Sequence, residues 1–195
     1  MGKLIKSIYA GVMIGFGGTV YLSMDNKIIG AILFSFGLLT IVSQHFNLYT
    51  GKVGYDNKIL DLIIAILGNM IGTFLIAYMI RISKPDLVEM ASNLWINKLN
   101  QTTIQTFILS ILCGIMMYLA VDNFSKTNNH KLIMLPVIIF ILCGFEHSIA
   151  NMFYLFLSND VGVKPIFFIL ICILGNGIGA RCFHIIKKKG ELNYD

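Results

Sequence analysis

Six apolar stretches, at about residues 8–24, 28–49, 59–82, 104–121, 131–157 and 164–186, leave little of this 195-residue chain outside them. A bilayer's hydrocarbon core takes roughly 20 helical residues to cross. Inside it every backbone N–H and C=O needs an internal partner, so a chain of this pattern folds as a helix bundle. Charge agrees: 13% of residues are Asp, Glu, Lys or Arg, against about 25% in a soluble domain. The fold class is therefore all-α and integral to a membrane, with one domain over 1–195. Met1-Gly-Lys-Leu-Ile-Lys runs straight into the first stretch without a small-residue cleavage site, so no removable signal peptide is expected.

Charge placement sets the expected orientation. With the N-terminus inside, cytoplasmic segments carry ten cations (Lys3, Lys6, Lys52, Lys58, Lys126, Lys131, Arg181, Lys187, Lys188, Lys189) and the opposite side five (Lys27, Arg81, Lys84, Lys98, Lys164). The positive-inside rule then puts both termini in the cytoplasm. The +5 net charge reads as topology, not as a nucleic-acid footprint. Cys113, Cys143, Cys172 and Cys182 lie far apart within apolar stretches and read as small buried hydrophobes. No cofactor or metal is expected.

The chain also repeats itself. Tyr21-Leu-Ser-Met-Asp-Asn26 and Tyr118-Leu-Ala-Val-Asp-Asn123 end the first and fourth stretches, 97 residues apart. Leu67-Gly-Asn-Met-Ile-Gly72 and Leu174-Gly-Asn-Gly-Ile-Gly179 lie in the third and sixth, 107 apart. Three crossings reverse direction, so two three-helix halves stand upside down relative to each other, an arrangement typical of proteins with a site at the membrane midplane. Gly11, Gly15, Gly17, Gly18, Gly68, Gly72, Gly175 and Gly179 give the small-residue spacing of close helix crossings.

The second stretch of each half is polar in its body: Ser43-Gln-His-Phe-Asn-Leu-Tyr-Thr-Gly51 in one, Gly144 to Asn151 in the other. Irregular backbone at membrane depth survives only where it is buried in protein or lines a cavity, and broken helices expose N–H groups that favour anions. Both stretches are thus predicted to break. Glu146, His147 and Asn151 fall in an otherwise apolar run, and ionisable groups kept there usually serve transport or proton relay. Glu146 lies about 100° around a helix from His147 and reads as structural, fixing a broken end or a subunit contact. Asn151, one turn on, either braces the imidazole or caps freed backbone. Residues 85–99 read as a short amphipathic helix with Leu87, Met90, Ala91, Leu94 and Trp95 on one stripe, which Lys98 extends. That lysine is either a snorkelling interfacial side chain or an electropositive lure at the extracytoplasmic mouth.

Gly144-Phe-Glu-His-Ser-Ile-Ala-Asn-Met152 resembles the fifth-helix signature of the formate/nitrite transporter family, pentameric channels for small monovalent anions. Leu48-Tyr49-Thr50-Gly51 resembles the family's second-helix motif, Leu33-Phe-Ser-Phe-Gly-Leu38 its upstream pattern, and Leu109-Ser-Ile-Leu112 its fourth-helix motif. The resemblance implies an aquaporin-like homopentamer whose second and fifth helices are broken, with one pore per subunit. It makes His147 the central protonatable group, Thr50 its hydroxyl partner, Lys98 the pore lysine and Asn176 a pathway asparagine. Phe34, Leu38, Leu48 and Phe140 fall on apolar constrictions either side of the histidine. The implied function is passive or proton-coupled passage of weak-acid anions such as formate or nitrite, in a multi-pass cell-membrane protein that works on anions and protons and is not an enzyme. Hydrosulfide, acetate or lactate are alternatives within the family. A membrane-embedded redox protein ligated by His45, His147 and His184 is the distant one. Departures are Gly114 where the family pattern has Asn, Gln44-His45-Phe46-Asn47 where it has glycine then an acidic residue, and a shorter N-terminal region.

Overall fold

The computed structural model describes residues 2–191, and across them the chain is helices joined by short turns. Four helices are long and apolar enough to cross a membrane: α1 (Gly2–Ser23), α4 (Ile59–Ser83), α6 (Thr103–Thr127) and α9 (Val163–Glu191). The other two apolar stretches are interrupted, as their polar bodies predict. One is α2 (Lys27–Ser43) followed by α3 (Tyr49–Lys52). The other is α7 (His130–Leu142) followed by α8 (Ser148–Ser158). Between α4 and α6 lies the predicted amphipathic helix, α5 (Asp86–Leu99), burying Leu87, Ala91, Trp95 and Leu99. Several helices overrun the apolar stretches: α1 begins at Gly2 and α6 runs on to Thr127. Hydropathy marks only the lipid-facing length, whereas helical hydrogen bonding continues into flanking polar turns.

The halves are built around one close crossing each. A Cβ on Gly11 would lie 2.2 Å from the Asn69 carbonyl oxygen, and one on Gly114 would lie 2.2 Å from the Asn176 oxygen. Farther along, the absent Cβ atoms of Gly72 and Gly179 would meet the carbonyls of Ile8 and Ile111 at 2.2 and 2.1 Å. Hence α1 packs on α4 as α6 packs on α9. Gly114 is therefore a packing necessity, since a side chain there would run into the Asn176 backbone.

This packing also corrects the repeat. The Leu-Gly-Asn segments, 107 residues apart, occupy equivalent places, but Gly11 and Gly114 are 103 apart. The Tyr21 and Tyr118 segments, 97 apart, are out of register with it, and their likeness has no structural counterpart. Tyr21 borders a cavity with Phe34, whereas Tyr118 donates to Asp122 and faces His184. The cysteine expectation holds for Cys113 and Cys172, which are buried, and fails for Cys143 and Cys182, which are exposed.

Candidate functional site

Each broken helix stops by the same device. In α2 the Phe46 N–H reaches the Ile41 carbonyl and the His45 N–H reaches Val42; in α7 Phe145 reaches Phe140 and Gly144 reaches Ile141. These paired bonds form a Schellman stop, whose extra residue sits in the left-handed region. Gly144 takes it at φ +68° and His45 at +53°. The chain is then extended through Leu48 and His147 and restarts as α3 and α8.

An asparagine pins each restart. Asn69 of α4 accepts from the Tyr49 N–H (2.9 Å) and donates to the carbonyls of Ser7 (2.8 Å) and Asn47 (2.9 Å). Asn176 of α9 accepts from the Ser148 N–H (2.8 Å) and donates to Ser110 and Glu146 carbonyls, both at 2.8 Å. Both amides are fully buried. Asn176, which the resemblance implies as a pathway residue, is thus the brace of a helix break. Its equivalent Asn69 does the same in the first half, and the matching Leu-Gly-Asn triplets are the sequence signal for both.

The two restarts meet at Thr50 and His147. Thr50 Oγ1 lies 2.9 Å from His147 Nε2, with both side chains buried. His147 caps α8: its Nδ1 accepts from the Ala150 N–H at 3.1 Å. An accepting Nδ1 carries no proton, so in this arrangement Nε2 holds the hydrogen and donates to Thr50. Phe140 stacks on the imidazole at 5.5 Å between centroids and 19° between planes, and Phe34 meets Phe140 edge-on at 6.2 Å.

Cavities lie on both sides. One of about 90 Å3 is bordered by Tyr21, Phe34, Lys98, Phe140 and His147. The other, about 410 Å3, is bordered by Lys6, Leu38, His45, Leu48 and Lys52. Tyr21 and Lys6 stand about 22 Å apart along α1 at 1.5 Å per residue, so the cavities open at opposite ends of the bundle. Phe34 and Phe140 thus lie on one side of the histidine and Leu38 and Leu48 on the other.

Two expectations change. Lys98 extends the α5 stripe as predicted, but it is not a solitary cation. Its ammonium lies 2.6 Å from Glu146 Oε2, with side chains 14% and 1% exposed. Glu146 also accepts from Gln101 (2.8 Å) and from Asn151 (2.8 Å). Asn151 therefore braces this carboxylate, not the imidazole and not free backbone; a carboxylate one turn back offers the stronger acceptor. Nothing in the loop sequence marks Gln101 as a partner of Glu146. Among the described residues no three His, Cys, Asp or Glu side chains are grouped to hold a metal ion. His45 borders the larger cavity, His147 sits at the centre, and His184 contacts Tyr118 and Tyr55.

The formate/nitrite transporter family model matches residues 1–187. The chain is similar to the formate channel FocA of Haemophilus influenzae, at 28% identity over 66% of this chain and 52% of that protein. It is 27% identical to FocA of Escherichia coli K12 over 75% of this chain and 62% of that one. A formate-nitrite transporter of Plasmodium ovale is 23% identical over 98% of the chain and 79% of the relative. The chain thus spans between about half and three-fifths of the two FocA proteins. A solved pentameric formate channel with formate bound superposes with TM-score 0.80 at 21% identity, covering 99% of this chain and 96% of that one. An FNT family ion channel superposes with TM-score 0.86 at 20% identity, over 97% and 90%. At such identities the structures speak for the fold. Together with the apolar helices, the family match over nearly the whole chain identifies a multi-pass membrane protein that belongs to the formate/nitrite transporter family.

Proposed function

We propose that this protein is a homopentameric channel passing small monovalent weak-acid anions, formate or nitrite first, without converting them chemically. The observation that carries the reading is the buried Thr50–His147 contact, which joins the tips of the two broken helices between cavities at opposite ends. A bare anion is costly in an apolar constriction, so the path needs a polar centre flanked by short barriers. Phe34 and Phe140 form the barrier on the Lys98 side, Leu38 and Leu48 the other.

At the centre, His147 Nε2–H donates to Thr50, which leaves the threonine hydroxyl proton to point at a passing oxyanion. The His147–Thr50 pair either stabilises the anion by hydrogen bonding or, once the imidazole has taken up a second proton from the aqueous side, hands that proton on and returns to the neutral form, so that the anion crosses the apolar barriers as the neutral acid. Asn176 holds the break that sets this geometry, while Lys98, Glu146 and Asn151 form a compact polar wall on the approach. Both termini lie in the cytoplasm, which puts the Lys6 and Lys52 cavity on that side.

The test is flux of formate and nitrite into proteoliposomes, per correctly assembled oligomer and at several pH values. His147→Phe abolishes flux with the oligomer intact. His147→Asn keeps a hydrogen bond but cannot titrate, so its flux responds less to pH between about 5 and 8. Equal permeability of empty and loaded liposomes to both anions overturns the reading.

A further inference from the structure

We infer that this chain gathers its anions at one end only. The vestibule lined by Lys6, His45 and Lys52 is electropositive, while the vestibule beside Lys98 is electrically neutral. This rests on the anion-permeation reading and adds a binding region, with its ligand class, to it.

The inference comes from laying one half on the other. Across the two breaks equivalent residues are 99 apart, since the Schellman stops at His45 and Gly144 coincide. Glu146 then falls on Asn47, His147 on Leu48 and Asn151 on Lys52. In the second half the carboxylate holds Lys98 at 2.6 Å, so that cation is cancelled where it stands. In the first half the same position is an uncharged amide, whose Nδ2 donates to the Lys3 carbonyl at 3.1 Å. The position that carries Asn151 carries a lysine instead. Lys52 therefore brings a cation to the vestibule wall from α3 itself, and Lys6 brings a second from α1.

Nearby carboxylates are engaged elsewhere. Asp61 pairs with Lys3 at 2.6 Å. Asp122, next to the lining residue Val121, is held by Lys187 and Lys126. Asp56 keeps its charge, but it accepts from the Lys58 N–H at 2.9 Å and does not border the cavity. The wall of the larger cavity thus carries two lysines, the His45 imidazole and no carboxylate, around a space of about 410 Å3. That is room for hydrated monovalent anions and too open to strip them. A cleft lined by one sign of charge and walled by low dielectric concentrates counter-ions about tenfold or more. The occupants are small anions as a class, held loosely by charge before the Leu38 and Leu48 barrier.

The experiment reads local potential without needing flux. Cys143 and Cys182, both exposed, are replaced by Ser, and buried Cys113 and Cys172 are kept. A reporter thiol is placed at either of two equivalent lining positions, Val42→Cys in the larger cavity or Ile141→Cys in the smaller. Rates of modification by an anionic and a cationic methanethiosulfonate are measured in detergent, each normalised to a free thiol. We expect the anionic-to-cationic ratio at Val42→Cys to exceed that at Ile141→Cys by about tenfold or more. Adding Lys6→Gln and Lys52→Gln collapses the ratio at Val42→Cys, Lys6→Arg with Lys52→Arg keeps it, and Lys98→Gln leaves it alone. Equal ratios at the two reporters overturn the inference. So does a Val42→Cys thiol that neither reagent reaches, because an open vestibule would admit both. Absence of formate flux leaves these rates as they are, so the two readings fail separately.

Discussion

The two halves of this molecule share a frame and differ at its centre. In both, a Schellman stop ends the broken helix and a fully buried asparagine from the last helix pins the restart. In both, a glycine of the first helix lies against that asparagine's backbone. At the residues between the two bonds the halves part company. The first half places Asn47 and Leu48, the second Glu146 and His147. The frame therefore records what any broken helix in apolar surroundings needs, namely satisfied backbone groups. The difference marks where the proposed function places its chemistry. A leucine and a histidine occupy equivalent cap positions, and only the histidine side chain caps its helix.

The cross-links show the same division. Arg81, from the first half, bonds Asn159 and the Phe156 carbonyl at the end of α8. Arg181, from the second, bonds Asn57 (2.6 Å) and the Asp56 carbonyl (2.5 Å) beyond α3. Each half thus anchors the other's short helix, and the Thr50–His147 contact sits between these clamps. A site made from two helix tips needs both tips held.

The largest expected effect breaks the shared frame. Asn69→Leu and Asn176→Leu each break three buried hydrogen bonds and leave two groups without a partner, since the Ser7 and Ser110 carbonyls keep their helical bonds. At about 1–3 kcal/mol per unsatisfied group, each costs roughly 2–6 kcal/mol. Thermal denaturation in detergent should show equal damage from either half. A marked inequality would mean that the halves are not equivalent in support.

Next comes the charged position. Glu146→Ala leaves Lys98 buried without a partner and should cost about 3–5 kcal/mol. Its equivalent Asn47→Ala loses one hydrogen bond to Lys3 and should cost about 1 kcal/mol. Chemical denaturation of the two variants measures the gap, and similar costs would mean that the pair at Glu146 is solvated.

A smaller change in stability carries a larger change in use. His147→Leu makes the second half resemble the first and removes one cap and the Thr50 hydrogen bond, each worth about 1 kcal/mol. The oligomer should persist while anion flux falls to the level of empty liposomes. Retained flux would move the centre of the path away from the imidazole.

Much of this was legible in the chain. The polar bodies of the second and fifth stretches foretold both breaks, because broken backbone at membrane depth brings its own polar residues. His147 and Thr50 meet as their motifs implied, whereas Asn176, which its motif implied as a pathway residue, is found bracing the break. Partner choice was harder to see. The sequence places Lys98, Glu146 and Asn151 on two separate elements, and only the docking of α5 on α8 brings them together. Register was also obscure, since the Tyr21 and Tyr118 segments match in letters and the glycine crossings set a different offset.

The smallest effect concerns the left-handed residue of each stop. Gly144 and His45 hold equivalent positions at φ +68° and +53°. A side chain there costs roughly 1–2 kcal/mol from the contact of Cβ with the following carbonyl. Nothing lies within 4 Å of a Cβ built on Gly144, so Gly144→Ala tests backbone strain of about 1–2 kcal/mol without a clash. Unfolded-chain freedom works against the strain in both variants, by about 0.5–1 kcal/mol. Gly144→Ala should therefore lose, and His45→Gly gain, no more than about 1.5 kcal/mol. Denaturation midpoints of the two variants should move in opposite directions by similar amounts. If His45→Gly instead destabilises, the imidazole is making a contact in its vestibule worth more than the strain it bears, and the larger cavity is ordered by that side chain as well as charged by its lysines.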